Sequence, residues 1–297
     1  MREAVICFFL FLGLVGCRPD SGSHDERPFF FEQNFKTDVA WVVVEWNGKP
    51  YTYGSGFLIN KERGIFFTNK HVSKMFDGLG SGSQKVFFNG KIYNAVTVKT
   101  APLSDAALVS ITDRFQFSDF PEPSPVATEP VKVGDRVIVE GFHPHPHAVR
   151  KADEAAGYKF PTLNIFRGYY GLTARDLEKE TEIVFERLEA TISAVDKKAE
   201  ISDQGSGVVQ GLRNLINLHI EIKTDKDHRF SFGGLSGTVV RNKKGETIGI
   251  FTAGPEVEFD PDTKQDLPDG GFVANRVFKT GLLTPMRSVD DLVRFIK

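Results

Sequence analysis

From Val39 onward the chain sets short apolar runs between polar breaks. "VAWVVVEW" (39–46) is apolar and β-branched, "NGKP" interrupts it, and "YTYGSGFLIN" (51–60) resumes the texture. Runs of this length and composition predict strands, and Asn-Gly between two of them predicts a tight hairpin. "GIFFTNKHV", "QKVFFNGKIYNAVTVKT" and "AALVSI" continue the series to Ile111. Residues 117–135 carry four prolines and little periodicity, which predicts a linker between two halves. Strand texture returns in "RVIVEGF", "ATISAVD", "NLINLHIEIKT", "SGTVVRN" and "TIGIFTAG". "ARDLEKETEIVFERL" (174–188) reads as an internal helix. "SVDDLVRFIK" reads as a closing one, with a Ser cap and early aspartates. Strands, linker, strands and a closing helix predict an all-β fold of two packed antiparallel barrels, with a single large sandwich as the alternative. The barrels would occupy residues 36–125 and 126–297.

The N-terminus has a different pattern. Ala4 to Val15 is a short apolar core behind a charged start, too brief for a membrane span and suited to a signal peptide over residues 1–16. "LVGC" resembles the bacterial lipoprotein cleavage box, which implies cleavage before Cys17 and lipid attachment to it. The expected location is therefore the bacterial cell envelope, anchored to a membrane. The polar stretch that follows, to residue 35, reads as a flexible tether. Cys7 and Cys17 are the only cysteines, so a mature chain forms no internal disulfide. The formal charge of −2 removes electrostatic grounds for nucleic-acid binding.

Candidate chemistry centres on "FGGLSGTVV" (232–240). A serine hydroxyl is a poor nucleophile until a base takes its proton and a third group orients that base. All seven histidines precede Ser236: His24, His71, His143, His145, His147, His219 and His228. That order excludes the α/β-hydrolase elbow, in which histidine comes last. It leaves His, Asp, Ser, with Asp105 favoured over Asp77, which sits in a glycine-rich loop.

"GSGFLINKERGIFFTNKHV", "SDAALVSI", "GGLSGTVV" and "GETIGIFTAG" together resemble chymotrypsin-fold serine peptidases, especially the HtrA/Deg-like branch. The resemblance spans roughly residues 39–280 and implies a serine endopeptidase acting on protein or peptide substrates without a cofactor. It implies His71 as general base, Asp105 as its orienting acid and Ser236 as nucleophile. The backbone N–H groups of Gly234 and Ser236 would form the oxyanion hole. Phe230, Thr252 and Ala253 would line the specificity pocket, and no acid at 230 argues against a Lys or Arg preference. Leu235 departs from the acid or asparagine of relatives, Thr238 from their small residue, and no PDZ-like segment follows the barrels. Leu235, together with a long insertion in the second barrel, keeps open a catalytically inactive binding protein of the same fold.

"GFHPHPHAVR" holds three histidines alternating with prolines, which predicts an extended segment with His143, His145 and His147 toward one side. Three imidazoles suit zinc or copper, and a metal-binding envelope protein is a further alternative. No second ligand cluster is evident in the sequence, so the reading adopted is a surface loop with spare histidines and no metal assigned. That loop would open an insertion reaching from about 143 to 185.

Overall fold

The computed structural model describes residues 36–73, 82–158, 160–172, 181–198, 218–228, 231–254, 257–266 and 272–296. The signal peptide and tether with Cys17 and His24, Asp77, Phe230 and the first half of the expected internal helix lie outside the described residues.

The first barrel is a closed antiparallel ring in the order β1-β2-β3-β6-β5-β4. Its strands are β1 (Val39–Trp46), β2 (Lys49–Asn60), β3 (Ile65–Thr68), β4 (Ser83–Phe88), β5 (Lys91–Thr100) and β6 (Ala107–Ile111). Strand β1 shows why its sequence lacks polar alternation. Ala40 and Val42 point into the barrel's own core, with Leu58, Phe66 and Val86. Val39, Trp41 and Val43 point the other way, into a core shared with the second half. Both faces of the strand are buried, so both periods are apolar. The β1–β2 turn places Asn47 and Gly48 at φ 52° and 70°, the left-handed pair that a two-residue hairpin requires.

The second half contributes β7 (Arg136–Pro146), β8 (Thr162–Leu163), β9 (Thr181–Lys198), β10 (Leu218–His228), β11 (Val239–Asn242), β12 (Thr247–Ala253), β13 (Val257–Asp266) and β14 (Phe272–Pro285). The order β10-β14-β12-β11-β7-β9 closes on itself through a β10–β9 pairing, with β8 and β13 attached outside that ring. Val139, Ile192, Ile222, Phe251 and Leu283 fill its interior. The fold is thus two six-stranded antiparallel barrels, as the strand pattern predicts, joined by the proline-rich stretch. Phe57 and Phe67 from one half meet Phe142, Val239 and Ile250 from the other in the shared core.

Among the described residues the α-helices are short: α1 (Lys70–Ser73), α2 (His147–Ala155) and, at the end, α3 (Asp290–Ile296). Helix α3 starts with Asp290 and Asp291, favourable beside the positive end of the helix dipole. It buries Leu292 and Ile296 and returns to the first barrel, where Asn60 Nδ2 donates to Ile296 O at 3.1 Å. Among the described residues no helix is long and apolar enough to cross a membrane.

The structure corrects three expectations. Residues 181–188, read as helix, belong to β9, where Ile183 and Val184 are buried against β7 and β8. Cross-strand partners on both sides override the helical leaning of the Glu- and Leu-rich segment. The insertion is shorter than expected, because His143–Pro146 pair in register with Thr181–Val184 as ordinary barrel strand. For the same reason His143 and His145 do not lie on a surface loop; they are 0% and 1% exposed.

Candidate active site

The catalytic candidates gather at the seam between the barrels. Strand β3 ends at Thr68 and the chain turns at once into α1, which presents His71. The opposite side of His71 is Asp105, just before β6, in a turn closed by Ala101 N donating to Ala106 O at 2.9 Å. Asp105 Oδ2 lies 2.6 Å from His71 Nδ1, and Oδ1 accepts from the His71 backbone N–H at 3.1 Å. Asn69 holds the acid from behind, its Nδ2 donating to Asp105 O at 2.6 Å. Asp105 is buried, which alone would raise its carboxyl. The charge and hydrogen bonds of His71, helped by Lys70, outweigh burial and hold it below its ordinary value. The acid is therefore an anion at neutral pH and fixes the imidazole with its proton on Nδ1 and a lone pair on Nε2.

Ser236 sits on the turn between residues 231 and 238. Gly234 and Gly237 take φ of 93° and 90°, a region closed to most side chains. Space excludes them too. A Cβ on Gly237 would stand 2.1 Å from Ser55 O and 2.4 Å from Thr68 Oγ1, and one on Gly234 would stand 2.7 Å from Pro144 Cδ. The Ser236 turn is thus pressed against the end of β3 at Thr68, three residues before His71. Ser55 N donates to Ser236 O at 2.8 Å and fastens the turn to β2. The fully buried Ser55 Oγ accepts from Phe142 N at 2.9 Å and lies 3.0 Å from Gly234 O, tying β2, β7 and the turn at one atom.

Within the turn, alternate amides are used. Leu235 N donates to Phe232 O at 3.0 Å and Gly237 N to Phe251 O at 2.8 Å, whereas no described carbonyl accepts from Gly234 N or Ser236 N. Those two donors are available to an oxyanion. Ser236 Oγ donates to Thr252 O at 3.3 Å in this conformation.

Thr252 was expected on the pocket wall. It gives its carbonyl to Ser236, while its side chain is 2% exposed and turned inward, 2.8 Å from Thr284 Oγ1 and 3.4 Å from Asn69 Nδ2. The backbone of Ala253 ends β12 beside it. Leu235 is fully buried in the second core, and a Cβ on Gly141 would meet its Cδ2 at 2.9 Å. An acid there would need a buried cation partner, so the apolar residue suits the packing. Thr238 Oγ1 donates to Glu140 O and is also buried.

Sequence reasoning missed Ser55, whose role is visible only once the barrels are docked. It also missed Glu186 and His228, which the fold brings to His143 and His145.

A family model described as trypsin-like peptidase domain matches residues 54–250. Among solved structures, the chain is similar to the Rv3671c protease of M. tuberculosis in its inactive form, at 17% identity over 87% of this chain and 88% of that one, TM-score 0.47. It is also similar to the serine endoprotease from Yersinia pestis, at 18% identity over 91% of this chain and 68% of that one, TM-score 0.46. No curated protein matches the chain.

Proposed function

The chain belongs to the trypsin-like peptidase domain family, and from that premise we propose that it is a serine endopeptidase working through His71, Asp105 and Ser236. The observation that carries this reading is the 2.6 Å contact between His71 Nδ1 and Asp105 Oδ2, beside a glycine turn holding Ser236.

The chemistry follows from that contact. With its proton on Nδ1, His71 offers Nε2 as acceptor. Ser236 Oγ attacks the substrate carbonyl carbon as its proton passes to Nε2, and Asp105 stabilises the imidazolium that forms. The carbonyl oxygen becomes an oxyanion facing the N–H groups of Gly234 and Ser236; each such donor contributes about 100- to 1000-fold in rate. The C–N bond then breaks, His71 gives its proton to the leaving amine, and Ser236 carries the acyl group. Water, deprotonated by His71, attacks the ester and frees the acid and the serine. Before the first step the Ser236 hydroxyl must leave Thr252 O for Nε2.

That last contact favours a second reading, a binding protein of the same family whose serine is not activated. Fluorophosphonate labelling of the full chain separates the two. Labelling of wild type and not of Ser236→Ala is the expected result, whereas an unlabelled wild type would favour the binding protein. We further propose that the peptidase is of the HtrA-like branch. Lipid on Cys17 would hold it at the cell envelope, supported by the "LVGC" box and the polar stretch after it. Metabolic labelling with a palmitate analogue, lost in Cys17→Ala, tests the anchor.

A further inference from the structure

A second cluster of reactive side chains lies outside the site just described. His143 and His145 stand two apart on β7 and so share a face. Glu186 lies on β9 opposite Gly141, diagonal to His143 on the neighbouring strand. His228 ends β10, the next strand around the barrel. His143 Nε2 is 2.5 Å from Glu186 Oε2 and His228 Nε2 is 3.1 Å from it. His145 Nε2 is 3.4 Å from the same oxygen and 2.7 Å from His143 Nε2. The three imidazoles are 0%, 1% and 8% exposed, for His143, His145 and His228 in turn.

Hydrogen bonding alone does not satisfy this arrangement. His143 Nε2 has one in-plane position, holding either a proton or a lone pair. With a proton on His143 Nε2 aimed at Glu186, an N–H on His145 Nε2 would face it at 2.7 Å and reach the same carboxylate oxygen only at 3.4 Å. A lone pair offered to His145 sets lone pair against carboxylate. A cation at the centre removes the conflict, because all four groups then present lone pairs to it. The four donor atoms lie within 4.8 Å of one another. A tetrahedral ion with arms of about 2.0–2.1 Å separates its ligands by about 3.4 Å, inside the observed spread.

We propose that His143, His145 and His228, through Nε2, and Glu186, through a carboxylate oxygen, bind one zinc ion that clamps β7, β9 and β10 together. Three nitrogens and one oxygen in a buried tetrahedral cage suit zinc, and a site closed by four protein ligands is structural. Its place gives it a target. His143 Cα lies 3.0 Å from where a Gly234 Cβ would stand, and the His228 and Phe232 ring centroids are 5.3 Å apart. The clamp therefore backs the turn that carries Gly234 and Ser236. The ligand set differs from the histidine triplet of the sequence: Glu186 and His228 join His143 and His145.

The test uses the full chain, stripped with a chelator and titrated with Zn²⁺, with bound metal counted by elemental analysis. One ion per chain is expected, with the melting temperature raised by about 5 °C at zinc near 100 times its Kd. Co²⁺ in place of Zn²⁺ should give the intense visible bands of a tetrahedral site. His145→Gln and Glu186→Gln should lose the ion, while His219→Asn, a buried histidine outside the cluster, should keep it. Wild type that takes up neither metal overturns the proposal, as do ligand variants that bind zinc like wild type. The Co²⁺ spectrum needs no variant to fold: weak octahedral bands on wild type also overturn it. None of these readouts depends on peptidase activity.

Discussion

Asp105 grips His71 at two points, its Oδ2 on the ring and its Oδ1 on the backbone N–H of the same residue. One carboxylate thus sets both where the imidazole sits and which nitrogen bears the proton. Asp105→Asn keeps the shape and reverses the second effect. An amide N–H aimed at Nδ1 forces the proton onto Nε2, which can then accept nothing from Ser236. The expected result is a fall in kcat on the order of 10⁴-fold with KM little changed. A fall under tenfold would remove Asp105 from the proposed triad.

The same contact makes stability depend on pH. The folded carboxyl titrates below its ordinary value, so between the folded and unfolded values the unfolded chain binds more protons. Its contribution is complete above the unfolded value of about 3.9 and is lost as pH falls through the folded one. Denaturant unfolding of wild type and Asp105→Asn should show a difference at pH 5 that shrinks as pH falls through the acid range below about 4. A difference that grows on acidification would contradict the depressed value.

Ser55 joins three elements through one hydroxyl. Ser55→Ala leaves Phe142 N without its acceptor in a buried place, a cost of about 1–3 kcal/mol. The turn also loses its tie at Gly234 O. Peptidase assays should show kcat reduced roughly 10- to 100-fold, with KM changed less, because the oxyanion donors shift while the substrate surface does not. Equal damage to KM and kcat would mean that Ser55 supports the fold alone.

The barrels were legible because their signals are local. Asn47-Gly48 marked a hairpin from sequence, and the same dipeptide at Asn89-Gly90 splits "QKVFFNGKIYNAVTVKT" into β4 and β5, with φ of 47° and 74°. His71, Asp105 and Ser236 were legible because each carries its own neighbours into a motif. Residues 181–188 misled because the stretch 174–188, with its four glutamates and two leucines, states a helical preference, while the β7 partners of 181–188 lie 35 to 49 positions away, from Pro146 (181 − 146) to Val139 (188 − 139). Glu186 and His228 had no signal at all. Their meaning comes from β9 lying between β7 and β10, a neighbourhood created by barrel closure.

The hydrogen bond network around Ser55 reaches 179 residues along the chain to Gly234. Contacts of such separation close late, after the local hairpins. During synthesis the first barrel, with His71 and Asp105, emerges before Ser236 exists, and the serine turn finds its seat only when the second barrel docks. On the proposed mechanism, reactivity is therefore the last property the molecule acquires, and a copy whose second barrel has not docked cannot cut its own chain or its neighbours.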